Sequence, residues 1–484
     1  MPSSDGRAVA SLVRGGAAGL AGAVAGAGAQ VLIVVALTRG LDAASAGTVL
    51  TATSLCLMAA GILRLDTGNG LIYFIARHRD GAHPDISRLV RSALLPVLIL
   101  SIAAAALAYL GADTIGALND ASGSGSPPTS ASSPTGGTVA VAASLVTADA
   151  TATVVRVLAL ALPFVVCADI LLAATRGFGA MRPTILLGGV LQPGGQLVLV
   201  GALLAAGTGP AWAIPAAWAA PYLPVVLLAA LWLRRRVPAR GGTPDVTPRF
   251  WRHTAPRAFG AATQAVFQRL DVVIVAALAG PAEAAVYTAA TRFKVVGQLA
   301  NQGLTQAVQP RLVRALADGD LPLARVLYQA TTMWLVVLTW PIWLGYALLA
   351  PWLLRVFGEG YEGGAAVAAV LAVTMMAATA CGMVDVVLIA AGHTVSSTLN
   401  MLGAIVVTVA LDVALVPAHG TLGAALGWSA GVLVKNALPL VRVSRRYGLR
   451  PFGRHSLPSL RPRTRDRQEE PAPMGGPSAG RVTP

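Results

Sequence analysis

Charge is what this chain has least of. Only 12% of its 484 residues are charged, whereas a soluble surface carries about 25–35% Lys, Arg, Glu and Asp. A chain that is 55% hydrophobic, with mean hydropathy +0.68, cannot cover itself in water. A soluble nucleic-acid binder, a disordered protein and an ordinary soluble enzyme are therefore poor readings, despite a formal net charge of +15. Lysine is nearly missing: Lys294 and Lys435 are the only two. Neither follows glycine, so no Walker A loop, which ends in Gly-Lys-Ser/Thr, is present. Cysteine is scarce as well. Cys56, Cys167 and Cys381 each sit in an apolar run, with no C-x-x-C pair, so neither a disulfide framework nor a zinc site is indicated. The histidines form no ligand cluster, and no cofactor or metal motif appears.

What remains is long apolar runs separated by basic turns, the pattern of an all-α integral membrane protein. Twelve helical spans are expected over 15–37, 46–64, 92–110, 154–174, 183–206, 212–233, 258–278, 286–308, 326–350, 363–391, 396–415 and 421–441. The first run is too long for a signal-peptide core and reads as an uncleaved span. Segment 111–153 contains GSGSPPTSASSPTGG and reads as a flexible loop, with TVAVAASLV as a candidate short helix. Segment 234–257 divides the chain into two halves of six spans, 15–233 and 258–441. Residues 1–14 form a short N-terminal segment, and the Pro/Arg-rich 442–484 reads as a disordered tail. Gln192-Pro193-Gly194-Gly195-Gln196 marks a kink in the fifth span.

The basic residues support this count. With the N-terminus in the cytoplasm, 28 of the 36 Lys and Arg fall in inside segments, two (Arg39 and Arg355) fall outside, and six stay at membrane depth. That alternation is the positive-inside pattern for a multi-pass protein of the cytoplasmic membrane with both termini cytoplasmic.

The halves resemble each other. Gln30-VLIVVAL-Thr38 aligns with Asp271-VVIVAAL-Ala279, and Gly40 and Ala46-Gly47-Thr48 align with Gly280 and Val286-Tyr287-Thr288. LLAATRG (171–177) resembles VLIAAG (387–392), and GPAWAIPAAW (209–218) resembles HGTLGAALGW (419–428). An even number of spans per half gives both the same orientation. This is the plan of transporters whose site lies at the midplane between repeats.

Polar residues at membrane depth are costly and face protein or water. At 100° per residue, Thr291, Lys294, Gln298, Asn301, Gln302, Thr305 and Gln309 share one face of the eighth span. Arg257, Gln264, Gln268 and Asp271 share one face of the seventh. Two readings stand side by side: a hydrated cavity between the halves for an anionic headgroup, or interhelical hydrogen bonding in a packed bundle, with Asp271 paired to Lys294 or Arg269. Arg64 and Asp66, ending the second span, either face the cavity or pair with each other. Asp169, Asp385 and Asp412 are isolated carboxylates that carry protons or bind Na⁺, or else serve as partners for Arg292 or Lys435 or lie near span ends.

With these motifs in hand, the sequence resembles the multidrug/oligosaccharidyl-lipid/polysaccharide (MOP) exporter superfamily, and within it the polysaccharide-export, Wzx-type flippases. The likeness rests on Gly40 and Gly47, IAR (75–77), TRGFG (175–179), Asp271, Gly280-Pro281, Tyr287-Thr288-Ala289-Ala290, Pro310-Arg311-Leu312, VFGEGY (356–361) and HGTLGAALGW (419–428). It implies two pseudo-symmetric six-helix bundles in a V, like MATE and MurJ transporters, opening alternately to either side. It implies a polyprenyl-pyrophosphate-linked glycan as substrate, in a lipid bilayer, with polysaccharide glycosyltransferases and a polymerase as partners and no nucleic acid. On that reading, and from the polar stripe rather than from family motifs, Arg64, Arg292 and Lys294 neutralise the pyrophosphate, and Gln298, Asn301 and Gln302 hydrogen-bond sugar hydroxyls. Three features depart from the pattern: Gly47 stands where the second half has Tyr287, the 111–153 loop is long, and the basic tail is extra.

Competing functions are a MATE-type drug/cation antiporter, which wants a carboxylate-lined cavity, and a lipid II flippase, a group that commonly has fourteen spans. A membrane glycosyltransferase or polymerase needs catalytic residues in sizeable outer loops. The largest, 111–153, has no Arg or His, so the chain is expected not to be an enzyme.

Overall fold

In the computed structural model, residues 4–77, 86–123, 147–207, 209–236, 247–454 and 456 are described. Among them every regular element is helical. In the first half these are α1 (Ser4–Gly40), α2 (Ala43–Leu63), α3 (Thr67–Arg77), α4 (Ile86–Leu110), α5 (Ala112–Gly123), α6 (Ala148–Gly177), α7 (Met181–Ala206), α8 (Ala213–Ala219) and α9 (Tyr222–Arg236). The second half has α10 (Thr247–Phe267), α11 (Leu270–Ala279), α12 (Pro281–Thr291), α13 (Lys294–Ala317), α14 (Leu321–Arg355), α15 (Ala365–Ala380), α16 (Val384–Ala390) and α17 (Thr394–Tyr447).

The helix starts follow local chemistry. Asp42 caps α2, its carboxylate accepting from the amides of Ala44 and Ser45 at 3.1 Å each. Thr147 caps α6 and Asp320 caps α14 in the same way. Helix α6 carries apolar residues on every side and is correspondingly the buried centre of the first half, packed by α2, α3, α4, α5 and α9. Leu95, Ile99, Leu107 and Leu110 on α4 and Trp334, Leu348 and Trp352 on α14 are exposed. In a bilayer such residues face lipid, and the helices satisfy their own backbone groups.

Nine of the described helices are long and apolar enough to cross a membrane, and ten when the bent pair α10–α11 is taken as one span. The backbone shows why this count is lower than the twelve expected. The eighth expected span is broken between Thr291 and Lys294 into two helices. The last two expected spans run together as α17, interrupted only at Gly420 (φ 54°, ψ −133°), a conformation that suits a residue without Cβ.

The expected kink at Gln192-Pro193 appears as a π-helical stretch, Thr184–Leu191, ending in the Gln192 amide bonded to the Leu187 carbonyl. Pro193 cannot donate, and the wider turn takes up the mismatch. Two expected loops are partly helical: α5 occupies the start of 111–153, and α10 occupies 247–257 of the 234–257 linker. The stretch TVAVAASLV (138–146) and residues 457–484 of the tail lie outside the described residues.

The halves meet where α2 packs on α12, with α10 against α2 and α3. At that crossing a Cβ built on Gly47 falls 1.7 Å from the Pro281 carbonyl oxygen. The position therefore has no room for a side chain. This explains why the first repeat carries glycine where the second carries Tyr287, a fully buried ring. A second tie is made by Arg39, which donates to the carbonyls of Val356 (2.6 Å) and Arg355 (3.2 Å).

Candidate functional site

Three of the second-half spans are discontinuous. The α10–α11 pair bends by 44° at Gln268-Arg269. Helix α12 gives way to α13 at Arg292-Phe293, and α15 to α16 across Cys381–Met383, where Gly382 has φ 71°. Broken helices within a membrane are tolerated only beside protein or a water-filled space. All three breaks line a single cavity of about 450 Å³. Gln264, Phe267, Gln268, Arg269, Asp271, Thr288, Thr291, Arg292, Lys294, Asn301, Thr379, Gly382, Trp428, Lys435 and Asn436 contribute to its wall, and Ser54 is the first half's contribution.

Most of the lining comes from the second half, and Ser54 brings the first half to the same wall, beside the contact of α2 with α12. The eighth span does not carry one continuous polar stripe. The break at Arg292-Phe293 separates Thr291 from Lys294, yet both reach the cavity, while Gln309 is exposed away from it. The side chains of Gln298, Gln302 and Thr305 lie outside the described residues.

The charges are arranged by the breaks. Asp271 sits in the first turn of α11, where the helix dipole favours a carboxylate. Its Oδ1 accepts from the Val272 amide at 2.9 Å, and its Oδ2 accepts from the Tyr287 hydroxyl at 2.9 Å. The same Oδ2 lies 3.6 Å from Lys294 Nζ, the carboxylate being buried and the lysine side chain 12% exposed. Of the two pairings open to Asp271, the structure thus has Lys294. The ammonium also lies 3.9 Å from the centre of the Trp428 ring. Arg292 follows α12, matching the negative end of that helix, and its buried Nε has no hydrogen-bond partner among the described residues. Lys435 lies 3.9 Å from Asp385 and 5.7 Å from the Phe267 ring centre. Among the described residues the wall carries four cations, Arg269, Arg292, Lys294 and Lys435, against the single carboxylate of Asp271. Such a surface favours an anion.

The remaining expected residues fall elsewhere. Arg64 does not line the cavity; it donates to Asp169 at 3.1 Å on a half-exposed face of the first half. Asp66 pairs with Arg257 (2.9 Å) rather than with Arg64, because Leu65 and Asp66 adopt positive φ (50° and 56°) and turn the carboxylate toward α10. Asp169 and Asp385 are each held by a cation. Asp412 is fully buried, and neither carboxylate oxygen has a partner among the described residues. The aromatic pair Phe267 and Trp428 was missed as part of a site, because apolar rings in apolar helices carry no signal in a hydropathy pattern. Lys435 stood out only as a cation at membrane depth.

Broken spans around a basic cavity, in an all-helical membrane bundle, define the architecture of a membrane transporter. Comparison with known proteins agrees on the fold. The structure aligns with a multidrug resistance MATE family transporter of the MOP superfamily in its inward-facing conformation (TM-score 0.67, 16% identity, 87% of this chain and 94% of that one). It aligns equally with the lipid II flippase MurJ in an inward closed conformation (TM-score 0.68, 11% identity, 89% and 87%). A third similar structure is a MOP superfamily transporter from Pyrococcus furiosus, described as having a binding pocket of reversed polarity (TM-score 0.58, 16% identity, 90% and 95%). The chain has no match among curated protein sequences. Residues 12–316 match the family described as polysaccharide biosynthesis protein. The chain belongs to that family, on the fold of the MOP transporters.

Proposed function

We propose that the protein is a flippase that carries a lipid-linked oligosaccharide or polysaccharide precursor across the cytoplasmic membrane by alternating access. The observation that supports this most directly is the sign of the cavity: four cations face one carboxylate, which itself is bound by Lys294 and Tyr287. A diphosphate carries two or more negative charges into a space with few competing anions. Gln264, Gln268, Asn301 and Asn436 supply neutral hydrogen-bonding groups for sugar hydroxyls. The lipid tail has no need of the cavity and stays in the bilayer. A MATE-type cation antiporter is disfavoured by the same charge count. A lipid II flippase shares the substrate chemistry, a polyprenyl diphosphate bearing sugars, and differs in the glycan.

On this proposal both termini lie in the cytoplasm, and glycosyltransferases and a polymerase act before and after the flip. Coupling to H⁺ or Na⁺ falls on Asp412, because it is fully buried and neither of its oxygens has a partner among the described residues. The test is translocation of a fluorescent polyprenyl-diphosphate oligosaccharide in proteoliposomes. Arg292→Gln and Lys294→Gln are each expected to slow it at least tenfold at equal protein level. Wild-type rates in both variants, or transport of organic cations alone, would overturn the proposal.

A further inference from the structure

The two lysines of the chain share one cavity and make the same pair of contacts there. Lys294 rests on the ring of Trp428 and is tied to Asp271; Lys435 lies over the ring of Phe267 and is tied to Asp385. The two rings are stacked on each other, with centres 6.5 Å apart and planes at 21°. The result is a continuous series: carboxylate, ammonium, ring, ring, ammonium, carboxylate. Each ring is 7% exposed.

Neither half of this series is a strong internal tie. At 3.6 and 3.9 Å both ammonium–carboxylate distances are longer than charge-assisted hydrogen bonds, which are about 2.7–2.9 Å. A cation resting on a ring gains less than one bound to a phosphate. An incoming diphosphate therefore competes well for both lysines. When Lys294 swings to it, the face of Trp428 that the ammonium covered is uncovered. The C–H face of a pyranose ring is apolar and weakly positive, which complements the negative face of an indole.

We infer that the Trp428–Phe267 stack is a sugar platform, covered by Lys294 and opened when the two lysines move onto a diphosphate. The platform thus reads the first sugar joined to the diphosphate, and it takes that sugar only after the charged group has docked. This inference rests on the flippase proposal for the cavity and adds to it the residue that senses the sugar.

Binding to the full-length protein in nanodiscs tests it, with three probes: inorganic pyrophosphate, farnesyl diphosphate, and farnesyl diphosphate carrying one hexose. In the wild type the hexose is expected to tighten binding about tenfold over farnesyl diphosphate alone. Trp428→Leu should abolish that increment. It should also raise pyrophosphate affinity by about two- to fivefold, because Lys294 no longer leaves a ring. Trp428→Phe keeps an aromatic face and retains most of the increment, which separates loss of the platform from loss of folding. The inference is overturned if Trp428→Leu weakens all three probes equally or leaves the hexose increment intact. It is equally overturned if the wild type binds both diphosphate lipids alike. Failure of the wild type to bind any of the three refutes the flippase proposal itself.

Discussion

Replacing Gly47 by alanine tests how the halves are joined. In this arrangement the added Cβ would lie 1.7 Å from the Pro281 carbonyl oxygen and 2.4 Å from its carbon. Carbon–oxygen contacts in packed helices run to about 3.3–3.6 Å, so α2 and α12 must separate by roughly 1.5 Å or more. Both clashing atoms are backbone, and no side-chain rotation relieves them. Overpacking of this kind costs about 1–3 kcal/mol, which converts to a change of roughly 5- to 150-fold in the population of the arrangement. The loss can be expressed as a lower melting temperature or as a move to an arrangement in which α2 and α12 part. Two measurements capture both. One is a thermal midpoint in detergent. The other is pulsed EPR between labels at Leu160 on α6 and Leu278 on α11, both exposed positions on opposite halves. Gly47→Ala is expected to lower the midpoint, broaden the distance distribution, or both. An unchanged midpoint together with an unchanged distribution would refute the close-contact argument.

Three further outcomes are expected. A Cβ on Gly297 would fall 2.0 Å from Cζ2 of Trp343, a fully buried indole. Gly297→Ala should therefore destabilise by about 1–3 kcal/mol, seen as a drop in thermal midpoint, while Gly303→Ala, with open space at its Cβ, serves as the unaffected control. Lys294→Arg keeps a cation near Asp271 and should retain more flux in the proteoliposome assay than Lys294→Gln; equal loss in both would argue that the ammonium's size, not its charge, matters. Asp412→Asn removes a buried carboxylate that has no partner among the described residues. It should leave the thermal midpoint unchanged or raised and remove the dependence of transport on an imposed H⁺ or Na⁺ gradient; persistence of that dependence would exclude Asp412 as the coupling group.

Much of this was legible from residue order. Hydropathy located the helices because lipid demands about 20 apolar residues per span, and the polar residues of the seventh and eighth spans stood out because each is expensive at that depth. Gln264, Gln268, Asp271, Arg292, Lys294 and Asn301 line one cavity. Arg64 did not follow. Its partner, Asp169, lies 105 residues further along the chain, a separation that no local periodicity can report. Phe267 and Trp428 were invisible for a different reason: an aromatic ring in an apolar helix reads as core until its neighbours are known.

The sequence by itself determined the solvent of this protein, its helical class and the set of polar groups that had to be hidden from lipid. Those follow from composition and local spacing, which act along the chain. Where the cavity opens was decided only in three dimensions. The bends at Gln268-Arg269, Arg292-Phe293 and Gly382 line one cavity, and Gly47 lets α2 approach α12 where the halves meet. Both depend on which helices touch, and that choice belongs to the packed bundle.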